Sequence, residues 1–140
     1  MSSEQNKVLL QRLYNEVFNN GNLAVIDELI APEAITHEES PVGNAGREAV
    51  RFLANTFHTA FRDFHVTPED MIAEGDKVVA RATFTGTHKG ELMGIPPTGQ
   101  AVRVNLIDFV RFANGQMVEH WAITDNMSLM EQLGVMPAEG

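Results

Sequence analysis

The chain of 140 residues contains no cysteine, and its 19 acidic residues far outnumber its 10 Lys and Arg residues. The absence of cysteine excludes disulfides, thiolate catalysis and cysteine-ligated metals. With a formal net charge of -9, the chain also lacks the basic stripe that binding to phosphate groups requires. We therefore expect neither nucleic acid nor an anionic membrane surface as a partner.

Long apolar runs are missing as well. No stretch approaches the roughly 18 apolar residues that a membrane span needs, and the first five residues show no sign of a signal peptide. Hydrophobic residues nevertheless make up 44% of the chain, too many for a disordered acidic protein. The composition predicts one ordinary domain, residues 1–140, in a soluble, cytoplasmic protein.

The first part of the chain has the periodicity of helices. Apolar residues recur at steps of three and four, the spacing that places them on one face of a helix. Helices are predicted over residues 4–19, 22–29 and 47–61. A brief strand, residues 34–38, and a loop separate the second helix from the third.

From residue 64 onward the pattern changes to that of strands. Strands are predicted over residues 64–74, 77–88, 101–112 and 117–125, and a short terminal helix over 128–134. Pro68 cannot donate to a ladder, so its strand should lie at a sheet edge. Helices followed by a meander of antiparallel strands predict an α+β fold, with the helices covering one face of the sheet.

The Asn114-Gly115 turn allows the register of the last two strands to be derived. A two-residue loop pairs Ala113 with Gln116, and side chains then alternate between the two faces. On one face this places Val104, Leu106, Asp108, Val110, Phe112, Met117, Glu119, Trp121, Ile123 and Asp125. Because that face is mostly apolar, we expect it to turn toward the helices, and His120 to point away from them.

Three carboxylates interrupt this apolar face: Asp108, Glu119 and Asp125. Either a pocket open to water or ligand, or ordinary buried hydrogen bonding, would account for them. Asp125, beside Trp121, is placed to act as a general acid or base, but it would equally serve to cap the following turn. Asp108 and Glu119 are candidates for orienting a substrate, or for bonding only to backbone and Arg side chains.

None of the five histidines has the spacing of a zinc motif, so no metal site is expected. His37, at the end of the first strand, and His88, before a long loop, are the histidines most consistent with a pocket. The sequence contains no nucleophile elbow, phosphate-binding loop or dinucleotide fingerprint, and no cofactor is expected.

Several short motifs nevertheless have a familiar order. Gly86-Thr87-His88-Lys89-Gly90 is followed by Gly94-Ile95-Pro96-Pro97-Thr98-Gly99, and the closing hairpin contains Phe109-Val110-Arg111-Phe112, Glu119-His120-Trp121 and Asp125. This arrangement resembles the SnoaL-like polyketide cyclases, the ester cyclase branch of the NTF2-like superfamily. The likeness covers nearly the whole chain.

The resemblance implies a cone-shaped fold, a curved antiparallel sheet closed by helices, and a homodimer formed through the outer face of the sheet. Members of the family close a polyketide ring by intramolecular aldol condensation without a cofactor. Asp125 matches the position of their general acid/base, and Trp121, His88 and His37 match further site residues. One departure is Asp108, which stands where some members have a histidine.

Residues and resemblance together predict a cofactor-independent acid–base enzyme that acts on a small hydrophobic carbonyl compound. Asp125 would remove a proton beside the carbonyl group, and His88 or His37 would stabilise the enolate. The expected pocket lining is Val104, Leu106, Trp121 and Ile123. Another NTF2-like reaction (isomerisation, dehydration or epoxide opening) and a non-catalytic binder of small apolar ligands remain as alternatives.

Overall fold

The computed structural model describes residues 2–38 and 40–136. The two ends of the predicted domain and residue 39 of the predicted loop lie outside these residues. Helices α1 to α4 are Ser3–Arg12, Ile26–Leu29, Gly46–Ala60 and Asn126–Leu133. Strands β1 to β5 are Ile30–Thr36, His65–Glu74, Lys77–Thr87, Ala101–Ala113 and Gln116–Thr124.

The first predicted helix is confirmed, but its second half has a wider turn than an α-helix. α1 begins at a capping box, in which the backbone N–H of Gln5 donates to the Ser2 side chain and the backbone N–H of Ser2 donates to the Gln5 side chain. It continues directly into a π-helical segment, Leu13–Asn19. The buried side chains of this segment, among them that of Tyr14, point toward the sheet.

The strands form one sheet in the order β1-β5-β4-β3-β2. β2 lies at an edge, as Pro68 predicts, and its ladder with β3 is irregular just after that residue. Strands β2 to β5 are an antiparallel meander, while β1 runs parallel to β5 at the other edge. The α+β fold with helices over one face of the sheet is therefore confirmed, and the parallel pairing of β1 is a feature that the sequence did not predict.

A β-bulge in β5 changes the register of the closing hairpin. Phe112 pairs with Met117, as the turn predicts. Arg111 then pairs with Glu119, which leaves Val118 as an additional residue on β5. Because side chains alternate with a period of two, every side chain of β5 beyond Val118 lies on the face opposite to the predicted one. The register predicted for this half of the hairpin is wrong.

The predicted orientation of β4 is confirmed. Val102, Val104, Asp108, Val110 and Phe112 are all buried, whereas the residues between them are more exposed. β4 lies in the middle of the sheet, between β3 and β5, so its inner face meets the helices directly. The inner face of β4 therefore forms one wall of the site.

The glycine-containing segment at the end of β3 packs closely against the end of α3. A Cβ atom on Gly86 would lie 2.7 Å from the Cβ of Phe61, and one on Gly90 would lie 1.9 Å from the carbonyl oxygen of Thr59. The backbone N–H of Gly90 donates to the carbonyl of Ala60. The glycines of this motif therefore permit close packing of backbone rather than the binding of a ligand.

Among residues 2–38 and 40–136, no helix combines the length and the apolar character that crossing a bilayer would need.

Candidate active site

A cavity of about 90 Å³ lies between the inner face of the sheet and the helices. Its lining is apolar along most of its length, and one side is a wall of aromatic rings from Phe18, Phe57, Phe64 and Phe84. The rings of Phe57 and Phe64 are stacked, with centroids 4.8 Å apart. Such a surface is suited to an apolar or aromatic ligand.

Four polar side chains meet at the other end of this cavity: Tyr14, Glu38, Asp108 and His120. The Tyr14 hydroxyl donates to Oδ2 of Asp108 at 2.5 Å, and Nε2 of His120 lies 2.8 Å from Oδ1 of the same carboxylate. Both oxygens of Asp108 are therefore held by donors from other elements, one from the π-helical segment and one from β5.

The second nitrogen of His120 is also engaged. Its Nδ1 lies 3.1 Å from Oγ1 of Thr36, at the end of β1. The Thr36 hydroxyl donates to Nδ1 when the ring is neutral, which leaves the ring proton on Nε2 facing Asp108. Three strands and one helical segment thus fix the orientation of one imidazole and one carboxylate.

The charges at this end of the cavity favour the protonated form of His120. Burial alone would lower the pKa of His120, but the hydrogen bond and the negative charge of Asp108 outweigh it, and Glu38 adds to them when it is ionised. The pKa of His120 is therefore raised above its ordinary value. Burial, together with the charge of Asp108 and the hydrogen bond to it, raises the pKa of Tyr14, which stays a donor.

Two of the sequence-predicted site residues line this cavity, Asp108 and Leu106. Val104 is fully buried on the same face of β4, but it belongs to the packed core and not to the cavity lining.

The predictions that Trp121, Ile123 and Asp125 point into the pocket are wrong. The Val118 bulge turns Trp121 and Ile123 to the outer face of the sheet, where the exposed fraction of Ile123 is 77%. Asp125 follows β5 and is exposed, and its carboxylate accepts a hydrogen bond from the backbone N–H of Ser128 at 3.1 Å. It is the N-cap of α4, the structural alternative to a catalytic role.

Glu119 and His37 also lie outside the cavity. His37 Nε2 is 2.8 Å from one oxygen of Glu119, and Arg111 Nε donates to the other at 3.0 Å. The hydrogen bonds from His37 and Arg111 hold the pKa of Glu119 below its ordinary value. The His37 ring stacks on Trp121 at 4.6 Å, so these residues form one cluster on the outer face.

His88 is fully buried, but it does not line the cavity. Its Nδ1 accepts a hydrogen bond from the backbone N–H of Thr98, and its ring packs against Phe61. The backbone of His88 is also bonded to Gln100 and Gly99. His88 therefore anchors the long loop that ends at β4, and the prediction that it lies in the pocket is wrong.

Sequence reasoning missed three of the four polar residues of the site. Tyr14 lies within the predicted first helix, where no pattern marks it as a site residue, and the predicted register places His120 on the outer face. Glu38 received no role. The one signal for His120 was the apolar pair Met117-Val118 near the start of β5, because two successive apolar residues interrupt the alternation of a strand, as a bulge does.

The comparisons with known proteins agree with this fold. The family described as SnoaL-like polyketide cyclase matches residues 8–133. The chain belongs to this family. Over 119 residues it is 28% identical to the nogalonic acid methyl ester cyclase of Streptomyces nogalater, an alignment that covers 84% of this chain and 89% of that protein.

Two solved structures extend the likeness to three dimensions. TsrD from Streptomyces laurentii superposes with a TM-score of 0.87 at 29% identity, covering 97% of this chain and 99% of that one. IdmH from Streptomyces antibioticus superposes with a TM-score of 0.81 at 35% identity, covering 94% of this chain and 99% of that one.

In this SnoaL-like chain, Glu38, Asp108 and His120 offer ligand atoms within 4.8 Å of one another. Two carboxylates and an imidazole are suitable ligands for a divalent metal. Both nitrogens of His120 and both oxygens of Asp108 already take part in hydrogen bonds, however. A metal ion would have to break the His120–Asp108 bond, so the arrangement fits proton transfer better than metal coordination.

We predict that Asp125 contributes to stability and not to ligand binding. Asp125→Ala should lower the free energy of unfolding by about 1 kcal/mol because it removes the α4 cap, whereas Asp125→Asn should have a much smaller effect because Asn also caps helices well. Urea unfolding curves measure both changes. Binding of an apolar fluorescent ligand should be unaltered in both variants, and its loss in Asp125→Asn would place Asp125 in the site after all.

Proposed function

We propose that this SnoaL-like protein is a cofactor-independent acid–base enzyme of the cyclase type, which acts on a hydrophobic carbonyl compound bound in the cavity. The observation that carries the proposal is the hydrogen-bonded pair of Asp108 and His120 at the polar end of an otherwise apolar pocket. The names of the curated relatives support a cyclase, since nogalonic acid methyl ester cyclase aligns with most of this chain.

Asp108 is the proposed base. Each carboxylate oxygen has two lone pairs, and the bonds from Tyr14 and His120 occupy one on each oxygen. The remaining lone pairs are available to a proton on the carbon beside a carbonyl group. The two donors also keep the carboxylate in place, which fixes the direction from which it approaches a substrate.

His120 supplies positive charge where negative charge develops. Its raised pKa means that it carries a proton at a higher pH than an ordinary histidine does. An imidazolium in a low-dielectric pocket stabilises an enolate far better than the same group would in water. The apolar and aromatic lining excludes water, which would otherwise quench the carbanion.

The acid–base pair separates this proposal from a non-catalytic binder. A protein that only holds apolar molecules gains nothing from a carboxylate and an imidazole placed in its pocket, because burying them costs desolvation energy. Isomerisation or dehydration would use the same pair, so the product distinguishes these reactions from cyclisation.

We expect Asp108→Asn to lower the rate of cyclisation by at least about 10²-fold, because an amide cannot accept the proton. The test substrate is nogalonic acid methyl ester, named in the relative's description. An aldol cyclisation is an isomerisation, so liquid chromatography with mass spectrometry should show a product of unchanged mass and altered retention.

The matched control is Asp70→Asn, which removes an exposed carboxylate from β2 and should leave the rate unchanged. Circular dichroism checks that both variants are folded. An Asp108→Asn variant that cyclises the ester at the wild-type rate would refute the assignment of the base.

We also propose that a second copy of the chain covers the outer face of the sheet. Three large apolar side chains, Ile107, Trp121 and Ile123, are exposed there on neighbouring strands. A patch of this kind on one face is typical of a subunit interface. The family resemblance leads to the same expectation.

Replacing Ile123 with Lys should shift the protein from dimer to monomer, because it puts a charge in the centre of that patch. Light scattering coupled to size-exclusion chromatography measures the mass. Ile72→Lys, at an exposed position on the far edge strand β2, is the control. A wild-type protein that is monomeric at micromolar concentration would contradict the proposal.

A further inference from the structure

Glu38 is an ionisable residue of the cavity that the proposed mechanism does not use. It follows β1 and lies beside His120 at the polar end of the pocket. Its carboxylate approaches the oxygen of Asp108 and the nitrogen of His120 within 4.8 Å. It also lines the open groove formed by Ser40 and Met93, so it stands between the cavity and the surface.

The surroundings of the two carboxyl groups differ in one decisive respect. Asp108 receives hydrogen bonds from Tyr14 and His120. None of the hydrogen bonds among the described residues goes to the carboxyl group of Glu38, which has the apolar side chains of Val50 and Leu53 near it in the cavity wall. Donors favour the ionised form of a carboxyl group, and an apolar surrounding favours the neutral form.

The electrostatics of Glu38 agree with this contrast. Burial raises the pKa of Glu38. The titratable groups that face it are His120, which opposes the rise, and Asp108, which adds to it. Two carboxyl groups in different surroundings are the usual basis for one acid and one base in a single site.

We propose that Glu38 is the general acid of the site, the partner of Asp108 as base; this inference rests on the proposed function. In a ring closure, Asp108 takes the proton from the carbon beside one carbonyl group. The electron pair of that C–H bond forms the new C–C bond to the second carbonyl carbon. The oxygen of the second carbonyl receives the C=O electron pair and takes the proton of Glu38.

The cycle is complete without a further reactant. After ring closure Asp108 holds one additional proton and Glu38 lacks one. The two groups are close enough for the proton to return directly or through a water molecule. The open groove beside Glu38 gives a second route, by exchange with solvent. The substrate is thus an acyclic or partly cyclised compound with two carbonyl groups, one of which reaches Glu38 while the carbon beside the other reaches Asp108.

The experiment uses two carbon acids. The rates at which they react test the role of Asp108 as base and the role of Glu38 as acid separately. In 1,2-benzisoxazole a base removes the ring C–H proton, the electron pair forms a nitrile, and the N–O bond breaks to leave a phenol oxygen. In the unsubstituted compound, a proton donated to that oxygen assists the break. The 5-nitro derivative gains much less from such a proton, because its nitro group stabilises the phenolate. Ring opening of both is followed by absorbance with the wild-type protein, Glu38→Gln, Asp108→Asn and the control Glu33→Gln, an exposed carboxylate on β1.

We expect Glu38→Gln to lower the rate of ring opening of the unsubstituted compound at least about tenfold. The rate for the nitro compound should change by less than about threefold. Equal effects on both compounds, or no effect on either, would overturn the role of Glu38 as acid. A wild-type protein inactive on both compounds, or an Asp108→Asn variant that keeps both rates, would instead refute the proposed base and with it the proposed function.

Infrared spectroscopy of the unliganded protein gives a readout that does not depend on turnover. A protonated-carboxyl band should be present at neutral pH, disappear in Glu38→Gln and remain in Glu33→Gln. A spectrum in which Glu38→Gln removes no such band would overturn the proposal even if catalysis were affected.

Discussion

The one-residue bulge at Val118 determines which side chains meet in the cavity. With a regular ladder, Trp121 and Ile123 would have filled the space above β4, and His120 would have faced outward. The bulge exchanges these positions, so that the small side chains of Ala122 and Thr124 leave the cavity open and His120 reaches Asp108. Val118 itself is half-buried and packs against the core, which recovers part of the cost of the irregular ladder.

The polar end of the site depends on donors from separate parts of the chain. Asp108 comes from the central strand, His120 from β5, Thr36 from β1 and Tyr14 from the π-helical segment. A buried carboxylate without partners is strongly unfavourable, and here every partner is supplied by a different element. The network therefore forms only in the folded protein. The same contacts that satisfy the hydrogen-bonding capacity of Asp108 also orient His120 toward the cavity.

Much of the fold could be predicted from local patterns. Apolar periodicity predicted three of the helices. Pro68 predicted that its strand lies at an edge of the sheet, and Asn114-Gly115 predicted the closing turn. Alternation along β4 correctly placed Asp108 and Leu106 on the cavity side. The site itself was predicted poorly, because a bulge depends on tertiary packing and shifts every later residue of its strand. Two residues of the family motifs, His88 and Asp125, were interpreted as functional, although His88 packs a loop and Asp125 caps a helix.

The central claim is that His120 faces inward and is paired with Asp108. Nuclear magnetic resonance of the His120 ring nitrogens across a pH titration tests it most directly. The account predicts a pKa above the ordinary value of 6.5, a neutral form protonated at Nε2, and a pKa that falls when Asp108 is replaced by Asn. A His120 that titrates like a solvent-exposed histidine and is unaffected by Asp108→Asn would contradict the account.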